Sequence, residues 1–209
     1  MLSSFFYVYK KISIIVIIIC VLFIPLICNE AIYTNLKNIN EINDELEFDE
    51  INNEFKSDLF IWPIPGYDKI SSNFGLRKSP TAGASTFHSG IDIPAPEGTK
   101  LYAIDDGKVT FAGWGAGGGY TVTIQLVNYP ELKFSFCHVS PIMLVTEDDI
   151  VKRGDVIARV GPKNVYGINN NQYRDANNEP TNGATTGCHL HFIIKKNNIP
   201  TNPMNFYKN

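Results

Sequence analysis

Histidine is scarce in this chain, with four in 209 residues, and tryptophan is scarcer, with two. Cysteine also occurs four times, but no two cysteines have CxxC or similar metal-binding spacing, which excludes a cysteine zinc knot. Cationic surplus is missing as well. Lysine and arginine total 18 against 21 acidic residues, so the net charge of −3 provides no field for nucleic acid. No long stretch carries a convincing period of 3.6, which argues against a helical bundle. The run from Gly113 to Gly119 lacks the lysine and the strand-to-helix setting of a phosphate loop and reads as a hairpin loop.

What is present falls into four segments. Residues 1–11 read as a short cytoplasmic N-terminus ending in Lys10 and Lys11. Residues 12–28 are almost continuously apolar and read as a transmembrane anchor or signal segment, with the lysines holding the N-terminus inside. Cleavage signals are poor. Leu26 is bulky where a lipoprotein signal before Cys28 needs a small residue, and a weak site lies after Ala31. The expectation is a single-pass membrane protein with its main domain outside the cell membrane, or a secreted protein if residues 1–31 are removed. Residues 29–58 are polar and acidic and read as a solvated stem. Residues 59–209 read as one domain.

Within that domain, short apolar stretches alternate with turn residues. Lys100–Ile104, Lys108–Ala112, Tyr120–Val127, Lys133–Cys137, Val156–Val160 and His189–Lys195 read as strands, separated by Pro96-Glu97-Gly98, Asp106-Gly107 and Arg153-Gly154-Asp155. The fold class expected is all-β. Pro162 to Gly183, rich in Asn, reads as a long surface loop beside the last strand and as the wall of a groove. Cys137 and Cys188 read as small buried residues, with a disulfide between them the alternative outside the cytoplasm.

The histidines then acquire interest. On a strand, His189 and His191 put both imidazoles on one face, with Leu190 on the other. His88 and Asp92 pair an imidazole with a carboxylate four residues on, and Gly90 frees the backbone to bend between them. Each pattern alone also fits an ordinary surface. Together they supply two imidazoles and one carboxylate, which leaves one position of a tetrahedral zinc open for water, the arrangement of a catalytic rather than a structural site. Two histidines remain for acid–base work or oxyanion stabilisation. His138, at a strand end, is placed as a groove residue is.

Ile70 to Arg77, His88-Ser89-Gly90-Ile91-Asp92-Ile93, Val151 to Gly161 and Thr185 to Phe192 together resemble the lysostaphin-type or LytM-type M23 metallopeptidases, in family order over roughly residues 60 to 207. The resemblance implies a mainly antiparallel β core with a loop-walled groove. It implies one Zn2+ per chain on His88, Asp92 and His191, with His138 and His189 as the non-ligand catalytic histidines. It further implies hydrolysis of peptide bonds in peptidoglycan by a metal-bound water. Three departures stand out. Ile193 replaces a common Glu, Phe136-Cys137-His138 replaces a Tyr-x-His, and the Asn-rich stretch is long. The alternative is a peptidase-like scaffold that binds cell wall or a protein partner without cutting. An Asn of the stem, such as Asn52 or Asn53, is a further candidate as a ligand blocking the metal.

Overall fold

The computed structural model describes residues 60–81 and 83–207. The anchor at 12–28, the stem at 29–58, Cys20, Cys28, Asn52 and Asn53 lie outside the described residues.

Eleven strands are found among the described residues. They are β1 (Gly75–Leu76), β2 (Phe87–His88), β3 (Ile91–Pro94), β4 (Lys100–Tyr102), β5 (Gly107–Trp114), β6 (Tyr120–Leu126), β7 (Leu132–Cys137), β8 (Ile150–Val151), β9 (Val156–Arg159), β10 (His189–Lys196) and β11 (Ile199–Thr201). Helix is limited to two single 3-10 turns, Ala116–Gly118 and Pro203–Phe206. The central sheet runs β11-β10-β7-β6-β5-β8, and β3 adds to the other side of β10. All its pairings are antiparallel. Two-stranded sheets β1-β2 and β4-β9 flank it. The mainly antiparallel β fold expected from the sequence is thus observed.

The sheet has two chemically different faces because side chains alternate along each strand. Val122, Ile124 and Leu126 of β6, Phe134 and Phe136 of β7, and Leu190, Phe192 and Ile194 of β10 are all buried on one face. The Phe136 and Phe192 rings lie 5.4 Å apart, and Phe60 closes this core edge-on against Phe134 at the same distance. Removing a fully buried ring such as Phe192 would cost about 3–5 kcal/mol. The residues between these, Thr121, Thr123, Ser135, Cys137, His189, His191 and Ile193, occupy the opposite face. There they line a groove of about 790 Å³. A one-residue slip of β10 would exchange the two sets, so burying Leu190 and Phe192 also fixes where the imidazoles go.

The β5–β6 connection is a hairpin, with Trp114 paired to Tyr120, as expected for the glycine run. The Asn-rich segment is less of a surface loop than its composition predicts. Asn171, Thr181 and Asn182 are buried. Asn171 accepts from the Tyr173 amide (3.0 Å) and donates to the Thr181 carbonyl (2.8 Å), so its polar side chains replace the hydrogen bonds a strand would make. The segment lays Tyr173 against both rims of the groove. A Cβ built on Gly83 would stand 3.0 Å from its ring, and one on Gly117 would stand 3.2 Å from its hydroxyl.

Candidate metal centre

Four elements bring the histidines together. β10 lies between β3 and β7, so His191 pairs with Asp92 on one side and Cys137 on the other. The β1–β2 hairpin delivers His88, with Gly75 opposite it. The β2–β3 link must pass tightly under β10, and Gly90 makes that approach. A Cβ there would lie 2.1 Å from the Phe192 carbonyl oxygen and 3.1 Å from Cε1 of His191. The glycine is therefore required for space; its φ lies outside the left-handed region, so the expected conformational bend is not its role.

Three donor atoms converge. His88 Nε2 lies 3.0 Å from Asp92 Oδ1 and 2.9 Å from His191 Nδ1, and His191 Nδ1 lies 2.9 Å from Asp92 Oδ1. His88 Nδ1 faces the Asn73 carbonyl at 2.8 Å, which can only accept, so Nδ1 carries the proton and Nε2 presents a lone pair. That lone pair confronts a carboxylate oxygen with no hydrogen between them, a contact that a cation relieves. A zinc ion with bonds of 2.0–2.1 Å spaces tetrahedral donors about 3.3 Å apart, so the triangle need open only a few tenths of an ångström. His88, Asp92 and His191 could therefore hold one metal ion. The other carboxylate oxygen, Oδ2, accepts from Arg77 Nη1 at 3.0 Å, which orients Oδ1 inward. Burial opposes ionisation of Asp92, but hydrogen bonds from His189 and His191 outweigh it and hold the carboxyl well below its usual range.

His138 and His189 stand beside this triangle. Their ring centres lie 4.8 Å apart, and His138 is 6.0 Å from His191. His189 Nδ1–H donates to the Gly187 carbonyl (2.9 Å), and its Nε2 is 3.4 Å from Asp92 Oδ1. His138 Nδ1–H donates to the Asn182 carbonyl (2.6 Å). Neutral His138 thus presents an unprotonated Nε2, whereas His189 Nε2 faces the Asp92 carboxylate. Burial, reinforced by repulsion from His189 and His191, pushes the His138 pKa well below the ordinary imidazole value, so it is neutral at pH 7. Burial also lowers His191, against the pull of Asp92.

His138 has φ 58°, the left-handed region, which costs about 1–2 kcal/mol outside glycine. Its amide donates to Gly118 (2.7 Å) and its carbonyl accepts from Gly161 (2.9 Å), so the backbone is held from both sides. Asn182, wholly buried, braces the same corner. It accepts from the Tyr120 amide (2.8 Å) and donates to the Val139 carbonyl (2.9 Å). His88, Asp92, His138, His189 and His191, the five candidates read from the sequence, lie together in the structure. The sequence did not indicate Arg77, Asn73 or Asn182, which act through a distant carboxylate or through main-chain carbonyls. Cys137 is buried and Cys188 half-buried, and both are free thiols.

Residues 86–203 match the model of peptidase family M23. The chain is 33% identical over 138 residues to the DD-carboxypeptidase/endopeptidase Mpg of Neisseria meningitidis serogroup B, covering 66% of this chain and 27% of that protein. It is 28% identical over 145 residues to the murein hydrolase activator NlpD of Salmonella dublin, covering 69% of this chain and 30% of the relative. The matches thus span less than a third of either relative's length. Among solved structures, a zinc-containing peptidase from Vibrio cholerae superposes with TM-score 0.52 at 30% identity, over 68% of this chain and 38% of that one. The catalytic domain of the antimicrobial peptidase lysostaphin from Staphylococcus simulans gives 0.51 at 27% identity, over 67% of this chain and 91% of that domain.

Proposed function

The chain belongs to peptidase family M23, and from that premise we propose that it is a zinc-dependent endopeptidase of bacterial peptidoglycan. His88, Asp92 and His191 are its zinc ligands, and His138 and His189 are its catalytic histidines. The observation that carries this reading is the set of three donor atoms 2.9–3.0 Å apart, flanked by two further imidazoles, those of His138 and His189. A bound zinc would polarise the scissile carbonyl and make water more acidic.

This chain's own residues would do the rest. The groove floor of hydroxyls beside Ile193 takes an extended peptide. A neutral His138 can accept the proton of the attacking water at Nε2, because burial keeps that nitrogen unprotonated at pH 7. His189 Nε2, beside it, can hold a proton and stabilise the charge that develops on the carbonyl oxygen. Arg77, paired with Asp92 Oδ2 at 3.0 Å, holds that carboxylate in place. In this reading residues 12–28 anchor the chain with the domain outside the cell membrane, where the substrate lies.

A second reading, a wall- or partner-binding scaffold with little activity, is favoured by one observation, the name of the NlpD relative. The two readings separate on the full-length protein. Zinc per chain is measured together with amino groups released from purified peptidoglycan, with His191→Ala alongside. About one zinc, with release that disappears in His191→Ala and on chelation, supports the peptidase. Bound zinc without release from walls of several cross-link types rejects it in favour of the scaffold.

A further inference from the structure

The groove is basic although the chain is not. The net charge is −3. Among the described residues lining the groove, however, Asp92 is the single carboxylate, against Arg77, Lys78 and Lys195. Arg77 is committed to Asp92. Lys195 has no ion-pair partner among the described residues.

Its position is specific. Lys195 follows His189, His191 and Ile193 on the groove face of β10, at half-buried positions alternating with the buried Leu190, Phe192 and Ile194. It stands four residues beyond His191, or about 13 Å along the strand. Directly across from it on β7 is Lys133. Like charges opposed in this way destabilise a sheet. Among the described residues, Lys133 finds relief in donating to the neutral Asn198 amide oxygen at 3.1 Å. Between these lysines and the histidines come Ile193 and Ser135, which are paired and uncharged. The groove therefore runs from a metal centre over a neutral floor to an unneutralised cationic end.

We propose that this end is a carboxylate subsite, in which Lys195, backed by Lys133, receives a carboxylate of an acidic peptide. A lysine side chain reaches back about 6 Å, so the carboxylate lies about two to four residues from the scissile bond of an extended chain. Peptidoglycan stem peptides carry such groups; uncharged glycine bridges do not. The enzyme thus selects acidic stem peptides. The inference rests on the peptidase reading.

The test uses the full-length protein and two probes, a cross-linked stem-peptide dimer with free carboxylates and the same dimer with those carboxylates converted to carboxamides. Kd is measured on zinc-free protein and kcat/KM on zinc-loaded protein. The free acid is expected to lead by about tenfold in both, less at high salt. Lys195→Ala should shrink the ratio below about twofold, Lys195→Glu should invert it, and Lys195→Arg should keep it. Lys195→Ala should leave Tm unchanged or raised, since a like-charge pair is removed. Equal binding of the two probes by the unaltered protein, or a ratio that survives Lys195→Ala, overturns the subsite. Absence of turnover with a Lys195-dependent Kd ratio would instead sink the peptidase reading and leave the subsite standing.

Discussion

Replacing Asn182 by Ala probes how the site is held rather than what it contains. The side chain is wholly buried and serves two main-chain groups, the Tyr120 amide at 2.8 Å and the Val139 carbonyl at 2.9 Å. Truncation leaves both without these partners, and each buried unsatisfied group costs about 1–3 kcal/mol. The expected loss is about 2–4 kcal/mol, which for a domain of this size lowers Tm by roughly 6–12 °C. Asn182→Asp sharpens the test. It keeps an acceptor for Tyr120 but faces the Val139 carbonyl with a second acceptor, so it should destabilise more at pH 7 than at pH 4. Calorimetry on the zinc-free protein reads both. The Asn182 main-chain carbonyl also accepts from His138 Nδ1–H, so loosening this corner should lower kcat about tenfold or more while zinc content stays near one per chain. A Tm within about 2 °C of the unaltered protein would refute the argument that this amide braces the His138 corner.

Two further outcomes are expected. Arg77→Ala removes the 3.0 Å partner of Asp92 Oδ2, so zinc affinity should fall about 10- to 100-fold with the fold intact, as read by competition with a chelator; unchanged affinity would show that Asp92 needs no such orientation. Zinc-free protein should lose stability on acidification. The buried His138 has its folded pKa below the ordinary 6.5, so the unfolded chain takes up its proton first. The stabilisation is therefore full above about pH 6.5 and is lost as pH falls below it, with Asp92 adding a second loss below about pH 3.8. Denaturant midpoints flat between pH 7 and pH 5 would contradict this.

The parts of the fold legible in the sequence are those with enough length to show a period. His189–Lys195 alternates polar and apolar except at Ile193, and it is observed as β10, one residue longer. Lys108–Ala112 and Lys133–Cys137 were likewise visible, as the cores of β5 and β7. β1, β2 and β8, of two residues each, were not, because pairing with distant partners defines them rather than any local preference. The site divides in the same way. Imidazoles and carboxylates announce themselves by residue type, and the family resemblance assigned their roles. Asn73 and Gly187 contribute main-chain carbonyls, which every residue has, so nothing in their identity marks them. Asn182 looked like one more Asn in a segment full of them.

The order in which the chain is made has a bearing on the placing of β10. A nascent chain that has reached Gly187 already contains His88, Asp92 and His138, but neither histidine of the last long strand. Its apolar Phe134 and Phe136 still lack their β10 neighbours, and the His88, Asp92 and His191 triangle lacks its third donor. Emergence of the next few residues supplies the central strand of the core and the final ligand together. On the proposed zinc-peptidase reading, competence to bind metal therefore arrives with completion of the fold, and fragments truncated before β10 during synthesis or by proteolysis are expected to be inert.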